Sequence, residues 1–174
     1  STRKESSAAS DVYKRQTLVR LNRLYGNTVR AEYYVDDMGK QVGVMAWALD
    51  NLTSEDVDKI LEGKDGVNPR WEGKSDHETV RWYQAAQQLR SEGDESIEEE
   101  IGKLVHASEH GDDSVLDKFE QAYKPVLDGM LETLSRLGID FDTFTKESKF
   151  VVDGSVSSLM ERLENLEIHG TADN

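Results

Sequence analysis

The sequence predicts an α/β fold that is mostly α-helical. Two observations carry this expectation. Residues 28–35 alternate apolar and polar with the two-residue period of a strand, and apolar residues on either side recur three and four apart, as on one face of a helix. A helix–strand–helix order points to α/β architecture. Beyond Leu52 the chain carries capped helices with almost no strand signal. At 174 residues it has the size of one domain and can bury a useful core.

Starting at the N-terminus, residues 1–16 are read as foreign to the fold. Residues 6–16, SSAASDVYKRQ, resemble the translation of a transposase adapter used in sequencing libraries, and Ser1 and Thr2 fit its upstream arm. The genuine portion would then begin at Thr17, in mid-helix. Leu18, Leu21 and Leu24 mark the tail of that helix, and Gly26 sits where a left-handed C-terminal cap is wanted. In the strand, Val29, Ala31, Tyr33 and Val35 fall on one face and Thr28, Arg30, Glu32 and Tyr34 on the other. Asp36-Asp37-Met38-Gly39 makes the turn, and Val42, Met45, Ala46 and Leu49 give the next helix its apolar stripe.

Two pairs with capping-box spacing, Thr53 with Asp56 and Ser75 with Glu78, open further helices. The first carries Val57, Ile60 and Leu61, the second Val80, Tyr83, Ala86 and Leu89. Residues 64–74 between them, with Gly66, Pro69 and Gly73, read as a mobile loop that Trp71 can pin. A helix with Ile97, Ile101, Leu104 and Val105 ends at Gly111. The longest helix covers 113–137, with Phe119, Tyr123, Val126, Met130, Leu134 and Leu137 on one packed face. Pro125 lies inside it, cannot donate to the carbonyl of Gln121, and predicts a kink costing about 3 kcal/mol. Residues 141–152 read as extended chain. Ser155 caps a last helix with Leu159, Leu163 and Leu166 inside, and 168–174 form a loose polar tail.

Charge is the strongest compositional signal: 35 acidic residues against 21 basic ones give a formal net charge of -14. Leaving out residues 1–16 makes the balance more acidic still, because four basic residues and two acidic ones go with them. Such a surface repels phosphate backbones, which argues against a main nucleic-acid grip here. It suits either the solvated helix faces of an ordinary soluble protein or a high-salt cytoplasm, where screening shortens repulsion to a few ångströms. Cysteine is absent, so disulfides and thiolate metal sites are excluded. The longest apolar run, 42–49, is far too short to cross a bilayer, and nothing reads as a secretory signal.

EYYVDDMGKQ, residues 32–41, is the most informative stretch. It places carboxylates, a glycine turn and an amide at the C-terminal end of a strand, where open α/β sheets bind ligands. The same pattern describes an ordinary capped turn, with Asp37 accepting helix N–H bonds and Gly39 supplying the bend. His106, Glu109 and His110 satisfy the H-x-x-E-H pattern of inverted zinc proteases, but no third ligand stands at a helpful spacing. They read instead as a solvated helix end, with His110 favourable near its negative pole. Gly73-Lys74-Ser75 stands too far from Gly66 for a phosphate-binding loop, and Glu98-Glu99-Glu100 reads as a solvated face rather than a calcium site. No metal site is expected.

Two stretches carry a resemblance to a known family. EYYVDDMGKQVGVMAWAL at 32–49 resembles the arginyl-tRNA synthetase segment that follows the first ATP-binding signature, where YYVNDMGRQ or a close variant is usual. Asp36 stands where that pattern has asparagine. TLVRLNRLYGNTV, from Thr17, is similar to the end of the signature helix and the run into the next strand. LETLSRLGIDFDTFTKES, opening the stretch 131–166, resembles the family's LKRLGIxFDxxxxES segment, including Phe141, Asp142, Glu147 and Ser148. The matches occur in the family's order and, with a helical insert between them, cover nearly all of 17–166.

The resemblance implies an internal piece of a class I catalytic domain. Residues 17–52 would belong to a Rossmann-like nucleotide-binding domain, 53–140 to a helical connective insertion, and 141–174 to the segment returning to the catalytic domain. The parent enzyme would attach arginine to its tRNA with ATP and Mg2+, as a cytoplasmic monomer. Its H-x-G-H signature would lie before Thr17 and its KMSKS-like signature after Asn174. No catalytic residue is therefore assigned, and the piece should be inactive alone. Tyr34, Asp36, Asp37, Gly39 and Gln41 become shell residues bordering the active site, while Phe141, Asp142, Glu147 and Ser148 are motif positions without assigned roles. Asp36 puts a negative charge where an amide is usual, which weighs against direct contact with ATP phosphates there. The alternative is a non-catalytic acidic helical module whose amphipathic helices bind a partner.

Overall fold

The computed structural model describes residues 2–67, 73–93 and 95–165. Helix α1 (Thr2–Leu24) passes the expected boundary at Thr17 without a break. It ends as a glycine cap requires: Gly26 has φ 84°, its N–H donates to the Arg23 carbonyl at 3.0 Å, and the Asn27 N–H reaches the Asn22 carbonyl at 3.1 Å. Leu18, Leu21 and Leu24 are not buried as their spacing suggested; Leu24 is 83% exposed. Periodicity sets which face they share, not whether another element covers it.

Strand β1 (Glu32–Val35) is half the expected length, because its partner β2 (Thr143–Lys146) opposes only these four residues. The pairing is parallel, with Glu32 opposite Thr143 and Val35 opposite Lys146. Parallel neighbours need a long crossover. Among the described residues five helices make it: α2 (Lys40–Asn51), α3 (Ser54–Leu61), α4 (Ser75–Ser91), α5 (Glu95–Glu109) and α6 (Asp113–Arg136). After β2 come α7 (Ser148–Val152) and α8 (Ser155–Glu164). The expectation of extended chain over 141–152 therefore holds for β2 and fails for α7, whose cause is given below. In α8 the expected apolar interior is not found either, since Leu159 and Leu163 are exposed. Leu166, the tail 168–174, and Pro69 and Trp71 of the expected loop lie outside the described residues.

α2 is the central helix. Val44, Trp47 and Ala48 meet Ala86, Ile97 and Ile101 on one side, while Val42 and Ala46 meet Val115, Phe119 and Ala122 on the other. Packing from α4, α5 and α6 thus buries more of its circumference than the single stripe expected, and Leu49 falls outside the buried face. Gly43 permits the closest approach: a Cβ there would stand 2.9 Å from the Val105 methyl. A third cluster joins Val57 and Leu61 to Ala85.

The Thr53–Asp56 capping box forms in full. The Ser75 box does not. Lys74 is the N-cap residue of α4, and the Ser75 hydroxyl instead donates to the Pro125 carbonyl at 2.7 Å, joining α4 to α6. The acidic run is more engaged than a solvated face: Glu100 accepts from the Trp47 indole at 2.6 Å, and Glu98 binds both Arg90 and Lys40. The Arg90 hydrogen bond, followed by that of Lys40, holds the Glu98 carboxyl down to about 2.

α6 runs unbroken through Pro125, and on its inner face Gly129 lies against Asp76. A Cβ there would stand 2.5 Å from the Asp76 carboxyl carbon and 2.7 Å from its Cβ. Gly129→Ala is expected to destabilise the chain in chemical denaturation. Overpacking costs roughly 1–3 kcal/mol, which outweighs the roughly 1 kcal/mol that alanine gains over glycine inside a helix.

Candidate functional site

Alternation along β1 sends Val35 inward and Tyr34 outward, so the chain leaves the sheet with Asp36 exposed and Asp37 buried at 4% exposure. Gly39 then adopts φ 88°, a conformation that L side chains rarely reach, and stands as the N-cap residue of α2. Its carbonyl accepts the Gly43 N–H at 3.0 Å, which starts the helix beside the strand's end. Gln41, one residue into α2, is exposed.

Every motif residue of the second stretch meets the first. Phe141 packs edge-on to Tyr33 with ring centroids 5.1 Å apart, and Phe144 lies 6.1 Å from the same ring. Asp142 accepts the Ala31 N–H at 2.7 Å and pairs with Arg23. The Ala31 hydrogen bond and the Arg23 guanidinium hold its carboxyl below the usual range. The Glu147 N–H donates to the Val35 carbonyl at 3.0 Å, and its side chain lies beside Asp36. Asp37 takes both donors of Ser148: the N–H at 2.9 Å and the hydroxyl at 2.6 Å.

This last contact explains α7. Its N-cap residue Glu147 supplies no side-chain cap, and the N-terminal donor is satisfied by a carboxylate 111 residues earlier. The capping role expected of Asp37 is real but serves α7, not the helix that follows it. No local reading of residues 141–152 contains that information.

Tyr34 and Asp36 form a ridge between two cavities. One, of about 470 Å3, is walled also by Gly39, Glu109, Glu147 and Phe150. The other, of about 530 Å3, is bordered by Gln41, Met45, Tyr83, Tyr123 and Met130 and is mostly apolar. Both lie where β1 ends, the place at which open α/β sheets accept ligands. Gln41 thus borders one cavity and Glu147 the other, with Tyr34 and Asp36 lining both. Sequence reasoning missed Tyr33, Arg23 and Lys146, the last of which binds Glu120 at 2.6 Å and lies over the Tyr123 ring. Tyr33 had a signal, its place on the inner face of the alternation; Arg23 and Lys146 had none.

Burial, then the neighbouring carboxylates Asp36 and Asp37, pushes the Glu147 carboxyl up. Chemically the join presents acceptors and acid groups, suited to donors on a ligand and unsuited to phosphate. His106 and His110 stack with centroids 4.1 Å apart, and His110 Nδ1 lies 2.7 Å from the His106 carbonyl.

The chain is 39% identical over 157 residues to the arginine–tRNA ligase of Methanocella arvoryzae, a match covering 90% of this chain and 26% of that protein. It matches a segment of the arginine–tRNA ligases. The ligase of Methanothrix thermoacetophila is 34% identical over 148 residues, covering 85% of this chain and 24% of its own length. That of Haloquadratum walsbyi is 30% identical over 152 residues, with the same shares. The chain therefore spans about a quarter of the length of the curated arginine–tRNA ligases it matches. No protein-family model and no solved structure matches it.

Proposed function

We propose that the chain is a segment of an arginine–tRNA ligase, the enzyme that uses ATP to attach arginine to its tRNA. The observation that carries this reading is the parallel pairing of β1 with β2. It joins, residue against residue, the two stretches that resemble the synthetase pattern, although more than a hundred residues separate them. A non-catalytic helical module would require no such pairing. Residues 17–52 and the return segment 141–174 then belong to a Rossmann-like sheet domain, with 53–140 as the helical insertion and 1–16 foreign to it.

On this reading the segment frames the active site and does not perform the chemistry. Tyr34, Asp36, Gly39 and Gln41 border the space at the strand's end, and Asp37 with Ser148 fixes the two strand ends relative to each other. These residues do not fit a magnesium site. Asp37 spends both oxygens on Ser148, and burial with the neighbouring carboxylates pushes the Glu147 carboxyl up. Magnesium and the phosphates of ATP therefore bind elsewhere on the parent enzyme. The parent acts in the cytoplasm, as a monomer, on arginine, ATP and tRNA, and the acidic surface suits a high-salt interior. No helix among the described residues is long and apolar enough to cross a membrane.

A chimera tests this. Residues 17–165 replace the matching stretch of the Methanocella arvoryzae ligase, and charging of tRNA with radiolabelled arginine is measured. The chimera is expected to charge tRNA and the isolated chain to show no charging. A folded chimera without activity, beside an active one carrying the Methanothrix thermoacetophila stretch, would overturn the reading.

A further inference from the structure

We propose that His106 and His110, at the end of α5, chelate one divalent transition-metal ion of the kind imidazole prefers: Zn2+, Ni2+ or Cu2+. Their spacing of four residues puts both rings on one face of the helix. The rings are in contact, with centroids 4.1 Å apart and planes 24° from parallel. Both residues are exposed, so an ion reaches them from solvent. Metal–nitrogen bonds of about 2.0–2.1 Å hold two ligating nitrogens roughly 3 Å apart. Rings already in contact need only small rotations to meet that requirement.

The fold also sets which nitrogen of His110 binds. Its Nδ1 lies 2.7 Å from the His106 carbonyl, and a carbonyl only accepts. Nδ1 therefore carries the proton, and Nε2 of the neutral ring keeps its lone pair for a metal. A ring N–H donated to a backbone carbonyl orients metal-ligating histidines and raises their basicity. The backbone beneath the pair is pinned as well. The His110 N–H donates to the His106 carbonyl at 3.2 Å, the Gly111 N–H to Ser108 at 3.0 Å and the Asp112 N–H to Ala107 at 3.1 Å, which closes the helix end.

The negative pole of α5 and the chain's net charge of -14 both favour a cation here. Lys40, which borders a cavity of about 200 Å3 together with His106 and Glu109, is paired with Glu98 at 2.8 Å. No group of three or more potential metal ligands occurs among the described residues, so water completes the ion's shell, and that cavity has room for it. Two nitrogen donors select against Mg2+, which takes oxygen ligands. Glu109 also lines the cavity at the end of β1, so the ion sits at the rim of the candidate site, while Tyr34, Asp36 and Glu147 take no part in holding it. The metal site is a property of α5 alone and stands whether or not the parent is a ligase.

The test is isothermal titration calorimetry of the 174-residue chain with Zn2+ and Ni2+, and with Mg2+ as the control. The native chain is expected to bind one Zn2+ or one Ni2+ and no Mg2+ at the same concentrations. His106→Gln and His110→Gln each remove one arm of the chelate and should weaken binding roughly a hundredfold, the lower end of what joining two sites gains. His169→Gln, at a histidine outside the pair, should leave binding unchanged. Zinc should raise the denaturation midpoint of the native chain and of His169→Gln, but not of the other two variants. Trace Cu2+ should broaden the amide signals of residues 106–111 before any others. Should one of the paired variants fail to fold, the other carries the test. Absence of Zn2+ and Ni2+ binding, binding that His106→Gln or His110→Gln retains in full, or broadening centred elsewhere would overturn the proposal.

Discussion

Replacing Asp37 by alanine is expected to lower the unfolding free energy by about 3 kcal/mol, read as a fall in the denaturant midpoint. Hydrogen bonds to a charged acceptor contribute about 1.5–3 kcal/mol each, and Asp37 accepts two from Ser148 at 4% exposure. Relief of the buried charge offsets part of that loss. What remains is a buried N–H and a hydroxyl without their acceptor, at the first turn of a helix only five residues long. Asp37→Asn separates the two effects. Its amide oxygen still accepts the Ser148 N–H, and the hydroxyl can turn to accept from the amide nitrogen, so the asparagine variant should lose less than the alanine variant. Equal losses would show that the charge of Asp37, and not its geometry, holds the strand ends together.

A Phe119→Ala variant should lose still more, roughly 3–5 kcal/mol, the usual cost of truncating a buried phenylalanine. Phe119 is 0% exposed and fills the space between α6 and α2, against Val42 and Ala46. Val42 lies three residues beyond Gly39, so a cavity at Phe119 also loosens the element that carries Gln41. Thermal denaturation gives the magnitude. The Phe119→Leu variant, which leaves a smaller void, should lose distinctly less.

These two positions show what the sequence could and could not reveal. Phe119 was legible because an apolar face repeats every three to four residues along α6; the caps at its ends, Asp112 and the positive-φ Gly138, come from the structure. The Thr53–Asp56 box was legible because both partners lie within one turn. Ser75 has the same local spacing, yet its hydroxyl serves Pro125, fifty residues away, and nothing local distinguishes the two cases. Helix α7 was hidden for the same reason: its capping carboxylate, Asp37, belongs to a different stretch. The leucines of α1 and α8 mark the converse limit, since a helical period identifies a face without identifying what lies across it.

For the candidate site, the alternation of β1 set Tyr34 on the face opposite Val35, and both Tyr34 and Asp36, the latter read as part of the turn, are exposed. The motif resemblance named Phe141, Asp142, Glu147 and Ser148 without roles, and the fold supplies them: Phe141 packs on Tyr33, Asp142 ties Ala31 to Arg23, Glu147 meets Asp36, and Ser148 is held by Asp37. Such roles require the register of a parallel pair, which no spacing along one chain encodes.

Amide hydrogen exchange at Glu147 and Ser148 tests most directly whether the two distant stretches form one unit. The Glu147 amide is donated to the Val35 carbonyl and the Ser148 amide to the Asp37 carboxylate, so both should exchange far more slowly than loop amides, and both should speed up together in Asp37→Ala. Exchange of these two amides at the rate of an unstructured loop, in a chain whose central helix α2 is protected, would contradict the pairing and the functional reading built on it.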